Sequence, residues 1–101
     1  MKGVTQILLL SKSCGHCKSI LSKHLDKILA SDAKMLFVED DEAKFMEYMD
    51  LAKPKVEEVF PEIKNHRYVT PLLLFVDNEN NLEYYLLGST QIDQYFETLP
   101  T

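Results

Sequence analysis

The stretch SKSCGHCKSIL, residues 11–21, contains both cysteines of the 101-residue chain, with only Gly15 and His16 between them. It follows the apolar run VTQILLL of residues 4–10, which predicts a buried strand. After it, apolar side chains recur at intervals of three and four as far as about Ala30, which predicts an amphipathic helix. The two cysteines are therefore predicted to lie where a strand passes into a helix.

The remainder of the chain predicts, in order, a second strand, an interrupted helical region, a β-hairpin and a final amphipathic helix. These elements cover residues 34–38, 40–66, 70–76 with 82–87, and 90–99. Within the helical region, the prolines predict two pieces with a break near Lys53–Pro54, because proline supplies no N–H to a helix. Thr90 is expected to cap the final helix, with Asp93 three residues on.

The element order β-α-β-α-β-β-α predicts an α/β fold built on one mixed sheet. A right-handed helical crossover makes the first two strands parallel neighbours, and a short turn makes the last two an antiparallel hairpin. The expected fold class is therefore a four-stranded mixed sheet with helices on both faces. At this length the whole chain, residues 1–101, is expected to form a single domain and a monomer.

The net charge of −5 is unevenly distributed along the chain. Residues 1–30 carry five lysines and one aspartate, a balance of +4, which leaves −9 for the rest, much of it between Glu39 and Glu62. The overall acidity argues against nucleic acid as a ligand. The short apolar run near the start fits neither a secretory signal nor a membrane span, so the cytoplasm is the expected location. In that compartment paired cysteines more often serve redox or metal chemistry than a lasting structural disulfide.

The two cysteines are expected to differ in reactivity because they take different positions on the helix. Cys14 lies at its start, where unsatisfied N–H groups and the helix dipole favour a thiolate and lower the pKa below the usual value of about 8.5. His16, Lys12 and Lys18 are expected to act in the same direction. Cys17 lies on the apolar side, where it is shielded. An exposed attacking thiol beside a buried resolving thiol is what thiol–disulfide exchange requires.

Three other uses of the cysteine pair compete with redox chemistry. Zinc needs four ligands, of which the cysteines supply two; His24 is expected at the edge of the core, and His66 in the link to the third strand. A structural disulfide closing so small a loop would constrain the unfolded chain little. A copper carrier can place such a pair after its first strand, but its fold ends β-α-β, whereas this chain is predicted to end β-β-α. The element order favours redox chemistry, and no bound metal is expected.

The sequence Cys-Gly-His-Cys-Lys at a strand-to-helix junction, with Thr70-Pro71 opening a later strand and Gly88 following the next, resembles the thioredoxin superfamily. The resemblance extends over nearly the whole chain. The stretch TPLLLFVDNENN, with the strand, the glycine and the final amphipathic helix after it, is similar to the second half of thioredoxins. The cysteine tetrapeptide is similar to that of protein disulfide isomerase domains, and the compact start to that of glutaredoxins.

The resemblance implies a dithiol–disulfide oxidoreductase and a role for each matching residue. Cys14 would be the nucleophile and Cys17 the resolving thiol, while Pro71 would follow a cis peptide bond beside them. The backbone of Thr70 would pair with an extended substrate chain, and Gly88 would leave room on the same surface. The implied partners are protein disulfides and an electron donor, either a reductase or glutathione. No cofactor is implied beyond the Cys14–Cys17 disulfide itself.

The chain departs from these relatives at several positions. Leu8 stands where thioredoxins and isomerase domains carry a buried acid, and Ser13 where thioredoxins carry tryptophan. The lysine that glutaredoxins place three residues before the first cysteine is displaced to Lys12, a candidate substrate-binding residue. Gly88-Ser89-Thr90 lacks the second glycine and the acid of the glutathione site. The acidic segment of residues 39–66 is explained either as extra helix packing or as a specificity element. The alternative function is a redox-inactive binding module whose cysteines hold a metal such as zinc.

Overall fold

The structure, a computed structural model, describes residues 3–99. Lys2, one of the lysines of the basic first part of the chain, lies outside the described residues. The strands are β1 (Thr5–Leu10), β2 (Lys34–Phe37), β3 (Leu72–Val76) and β4 (Leu82–Leu87). The α-helices are α1 (Gly15–Ala30), α2 (Glu42–Val59) and α3 (Ser89–Thr98), and a 3-10 helix covers Pro61–Asn65. The predicted order of elements is confirmed.

The four strands form one mixed sheet in the order β2-β1-β3-β4. β1 and β2 are parallel, and their carboxyl ends are in register at Leu10 and Phe37. β3 is antiparallel to both β1 and β4. The parallel first pair and the antiparallel hairpin are thus as predicted.

Successive residues of β1 face two separate apolar clusters, because side chains alternate across a strand. Ile7 and Leu9 face the cluster formed with α2, and Leu8 and Leu10 face the one formed with α1 and α3. All four are fully buried. The sheet therefore carries helices on both faces, and the continuous apolar runs of β1 and β3 are explained by this double burial.

The helix α2 passes through Pro54 without a break, so the predicted interruption near Lys53–Pro54 is wrong. Pro54 is exposed, and so is Asp50, whose carbonyl has no N–H partner at residue 54. Apolar side chains before and after the proline, Met49 and Val56, are fully buried against the same face of the sheet. Packing keeps the two halves of the helix aligned, and the helix ends at Val59, with Phe60 as its C-cap, ahead of Pro61. The buried side of α2 also supports the packing explanation of the acidic segment.

No helix within residues 3–99 combines the length and the apolar character needed to cross a membrane.

The start of α3 differs from the prediction, because Thr90 is not its cap. The N-cap is Gly88, whose φ of 91° lies in the region that favours glycine, and no side-chain hydrogen bond caps the helix there. The helix already includes Ser89. Gln91, one turn in, uses its side-chain oxygen to accept the N–H of Leu87 at 3.0 Å. At the other end of β4, the Lys55 ammonium donates to the carbonyl of Leu82 at 3.3 Å.

The helices α1 and α3 lie together on one face of the sheet and are joined by a polar pair. His24, 6% exposed, places its Nε2 2.5 Å from a carboxylate oxygen of Asp93 and stacks on the Phe96 ring. At His24 the backbone leaves the helical region, with φ −127°, so α1 is kinked there. His24 is therefore a buried core-edge histidine, as predicted.

Candidate functional site

The cysteine pair lies at the start of α1, next to the carboxyl end of β1. Cys14 is the N-cap residue, with an extended backbone at φ −91° and ψ 116°, and the helix begins at Gly15. The Cys14 sulfur takes the part that a serine or aspartate oxygen plays at other helix starts, because it accepts the backbone N–H of Cys17 at 3.2 Å. Cys14 thus lies just outside the helix and Cys17 one turn inside, as the sequence predicts.

Cys14 is half-buried and lies against Thr70. Its thiol donates to the Thr70 carbonyl oxygen, with 3.7 Å between sulfur and oxygen. Burial raises the pKa of the Cys14 thiol, but hydrogen bonds from the side chains of Cys17 and Thr70 and from the backbone amides of Cys17 and His16 outweigh it. The pKa of Cys14 is therefore held below its ordinary value, which favours the nucleophilic thiolate.

Cys17 is buried, with 1% of its surface exposed. Burial, and then the hydrogen bond that its thiol gives to Cys14, raise the pKa of Cys17 to about 11. The backbone amide of Ser11 and the side chain of Thr70 act in the opposite direction but do not reverse the shift. The pKa values of the two thiols are therefore shifted in opposite directions, and the accessible Cys14 has the lower one.

Of the predicted site residues, Thr70 contacts Cys14, and Pro71, which follows it, is hydrogen-bonded to Gly88. The Thr70–Pro71 peptide bond is cis, as the resemblance implies, and Pro71 is buried. The Pro71 carbonyl accepts the N–H of Gly88 at 3.1 Å, which joins the start of β3 to the start of α3. No atom lies within 4 Å of where a Cβ on Gly88 would be, so this part of the surface is open.

The side chains of His16 and Lys12 make other contacts than those expected from the sequence. His16 is exposed, and its Nδ1 lies 3.3 Å from the hydroxyl of Ser89, so it bridges α1 and α3. Lys12 is paired with Asp40 at 2.6 Å and lies over the Phe37 ring. Among the main causes of the lowered Cys14 pKa, His16 contributes through its backbone amide, and the side chains of Lys12 and Lys18 are not among them.

Two residues of the site, Ser11 and Glu39, were not singled out from the sequence. The carboxylate of Glu39 accepts the Ser11 hydroxyl at 2.7 Å and the backbone N–H of Lys12 at 2.9 Å. Ser11 in turn accepts the N–H of Cys14 with its carbonyl, at 3.2 Å. Glu39 follows β2, and the available signal was the parallel pairing, which brings the ends of β1 and β2 to the same edge of the sheet.

In the part of the chain that the structure describes, one group of three potential metal-ligating side chains lies close enough to share an ion. It consists of His24, Asp93 and Glu97, at the contact of α1 and α3. Neither cysteine belongs to such a group. His66 lies against the Phe60 ring. The cysteine pair is therefore not accompanied, within residues 3–99, by the further ligands that a closed zinc site needs.

Comparison with known proteins gives a likeness of fold without a likeness of sequence. No model of a protein family matches the chain, and no curated protein matches it. Thioredoxin f2 of Chlamydomonas reinhardtii is similar in structure, with a TM-score of 0.53 and 11% sequence identity over 94% of this chain and 74% of that one. A chain from a structure on the thiol resolving mechanism of yeast mitochondrial 1-Cys peroxiredoxin is also similar in structure. Its TM-score is 0.50 and its sequence identity 16%, over 95% of this chain and 78% of that one. The chain therefore has the thioredoxin-like fold that the sequence predicted.

Proposed function

We propose that this protein is a dithiol–disulfide oxidoreductase that exchanges disulfides with protein substrates. The observation that carries the proposal is the contrast between the two thiols. Cys14 is accessible at a helix start with a lowered pKa, and Cys17, one turn away, is buried with a pKa of about 11. The thioredoxin-like fold supports the proposal at the level of fold.

In the proposed reaction, the Cys14 thiolate attacks one sulfur of a substrate disulfide. The substrate S–S bond breaks, a mixed disulfide with Cys14 forms, and the first substrate sulfur leaves as a thiolate. Cys17 then loses its proton to water and attacks the Cys14 sulfur, which releases the second substrate thiolate. The substrate has gained two electrons, and the protein is left with a Cys14–Cys17 disulfide.

The surface around Cys14 supports an extended polypeptide as the substrate. The Thr70 carbonyl lies against the Cys14 thiol, where it can pair with a substrate backbone, and the open side of Gly88 leaves room beside it. Restoring the reduced state requires an outside donor, for which a reductase and glutathione are the two candidates. We propose no cofactor beyond the two cysteines, a single domain over residues 1–101, a monomer and a cytoplasmic location.

The proposal is tested by single cysteine variants in the reduction of insulin disulfides with dithiothreitol as donor. Cys14→Ser should abolish activity, because the attacking sulfur is gone. Cys17→Ser should leave the attack intact and trap mixed disulfides through Cys14, because nothing remains to resolve them. Trapping through Cys17 in the Cys14→Ser variant, with none in the converse variant, would reverse the assignment.

Native mass spectrometry separates exchange from the alternative, a binding module that holds a metal through the same cysteines. An oxidoreductase should lose two hydrogens on oxidation and regain them with reductant. A protein that carries the mass of a zinc ion, which chelation removes, and that reduces no disulfide would contradict the proposed function.

A further inference from the structure

The carboxyl ends of β1 and β2 lie side by side, which brings Glu39 next to the segment that leads into the cysteines. The strands are parallel and in register at Leu10 and Phe37, and the N–H of Val38 donates to the Leu10 carbonyl at 3.0 Å. The residues after each strand therefore leave the sheet at the same edge. Glu39 and Ser11 are the residues that meet there.

Glu39 binds this segment with both of its carboxylate oxygens. One accepts the Ser11 hydroxyl at 2.7 Å, and the other accepts the Lys12 backbone N–H at 2.9 Å. The Ser11 hydroxyl and then the Lys12 amide lower the pKa of Glu39, so the acceptor is a carboxylate at neutral pH and the bonds are charge-assisted. Ser11 is only 3% exposed. Glu39 is thus an exposed residue whose contact fixes a buried one.

The backbone of Ser11 is hydrogen-bonded to Cys14 and affects the acidity of Cys17. Its carbonyl accepts the N–H of Cys14 at 3.2 Å, at the turn before α1. Burial raises the pKa of Cys17, whereas the Ser11 amide favours the thiolate of Cys17 and lowers that pKa. The same residue that Glu39 holds therefore supplies a group that stabilises the resolving thiolate.

Within β1 there is no carboxylate that could act on the Cys17 thiol. The strand consists of residues without a carboxyl group, and Leu8 is fully buried in the apolar cluster beneath α1 and α3. Support for the Cys17 thiolate must come from groups outside the strand interior. The segment held by Glu39 provides such a group at the end of β1.

We propose that Glu39 is a positioning residue for the resolving step, which it promotes by holding the Ser11 backbone against the cysteine pair. The inference rests on the proposed exchange reaction. Glu39 acts through Ser11, whose amide favours the Cys17 thiolate, so its effect should fall more on the deprotonation and attack of Cys17 than on the first attack by Cys14.

The two steps can be followed separately with dithiobis(nitrobenzoate), a coloured disulfide. The Cys14 thiolate attacks the reagent, breaks its S–S bond and releases one coloured thiolate. Cys17 then loses a proton, attacks the Cys14 sulfur and releases the second. Stopped-flow absorbance gives a rate for each release, and repeating it across pH gives the midpoint of each step.

Glu39→Gln leaves one carbonyl acceptor for two donors and removes the charge. We expect its second release to slow about threefold to tenfold, the equivalent of one weakened hydrogen bond, with the pH midpoint of that step raised. Its first release should stay within about twofold of wild type. Ser11→Ala, which removes the hydroxyl bond to Glu39 and also the contacts of that hydroxyl with Ser13, should shift the second release in the same direction.

Asp40→Asn is the matched control, because it removes the neighbouring charge but touches only the Lys12 side chain. Its second release should keep the wild-type rate and pH midpoint. The proposal is overturned if Glu39→Gln and Ser11→Ala both keep that rate, or if Asp40→Asn slows it equally. Should Glu39→Gln fail to fold, Ser11→Ala decides alone. Failure of wild type to reduce insulin, with both coloured releases intact, would instead contradict the proposed function.

Discussion

At the scale of single residues, uncharged hydrogen-bonding groups lower the pKa of Cys14: the side chains of Cys17 and Thr70 first, and then backbone amides. The amides of His16 and Cys17 both lower its pKa, and the Cys17 amide also makes the N-cap hydrogen bond. The His16 imidazole instead contacts Ser89. Residue 16 therefore matters to the thiolate through the hydrogen on its backbone nitrogen.

A pair of variants separates the amide of residue 16 from its side chain. His16→Pro removes the backbone N–H in the first turn, where proline fits a helix, while His16→Ala keeps it. We expect His16→Pro to raise the pKa of Cys14 and to make the protein more reducing by about 30 mV for each tenfold in the redox equilibrium. Thiolate absorbance gives the pKa, and equilibration with a glutathione buffer gives the potential.

His16→Ala is the control in this comparison, and it should stay close to wild type in both quantities. Equal shifts in the two variants would assign the effect to the imidazole. Unchanged values in His16→Pro would show that residue 16 does not contribute to the stability of the Cys14 thiolate.

The sequence was sufficient to identify the cysteine pair, the Thr70–Pro71 segment and Gly88, because each is marked by a local motif. It was not sufficient for Glu39, which lies 25 residues beyond the first cysteine with no motif around it. Its role depends on strand register, a property of two segments together. The ion pair of Lys12 with Asp40 could not be predicted for the same reason.

At the scale of elements, α2 tolerates Pro54 at a cost that a substitution should recover. Pro54→Ala restores an N–H to the Asp50 carbonyl and removes the steric conflict of the ring. We expect a gain of about 1–2 kcal/mol in the free energy of unfolding, since a helix penalty of about 3 kcal/mol is offset in part by the unfolded-state entropy that proline restricts.

Urea denaturation measures the gain, and Lys53→Ala, on the preceding residue of the same helix, is the control that should change little. A lower stability for Pro54→Ala would show that the proline is adapted to its place in α2.

The contact between α1 and α3 should depend on pH through Asp93. The hydrogen bond from His24 lowers the pKa of Asp93 relative to its ordinary 3.8. A lowered folded-state pKa contributes stability that is present above the unfolded pKa and is lost as pH falls through the folded value. Wild type should therefore lose part of its thermal stability on acidification below about pH 4.

Asp93→Asn should lower the midpoint of thermal unfolding by several degrees at neutral pH and flatten this acid dependence. Asp26→Asn, on an exposed carboxylate of α1, is the comparison variant. An unchanged acid profile in Asp93→Asn would remove this pair from the pH response.

Element order and pairing were predictable because a helical crossover and a short turn each permit essentially one arrangement. The boundaries of the elements were less predictable. The break predicted at Pro54 is prevented by the buried side chains on either side of it, and Gly88, with its positive φ, caps α3 two residues before Thr90. In both cases tertiary structure decided against a local preference.

At the scale of the whole molecule, the sheet separates two apolar clusters, and Cys17 belongs to one of them. The α2 side is an apolar cluster that includes the 3-10 helix at Ile63. The other side packs α1 and α3 and contains Cys17 within its own cluster, next to Ile20 and Leu73. Cys17 is therefore part of the core on the face of the sheet against which α1 and α3 pack. This explains why the burial of Cys17 could be predicted from the apolar spacing of α1 alone.

The two side-chain contacts on β4 have a consequence for behaviour in concentrated solution. An edge strand offers backbone donors and acceptors on which a strand of another molecule can grow into an aggregate. Here Gln91 occupies the N–H at one end of β4 and Lys55 the carbonyl at the other. A foreign strand would have to displace both before it could pair along the full length. The hairpin edge is thereby protected against intermolecular β-assembly by contacts from α2 and α3.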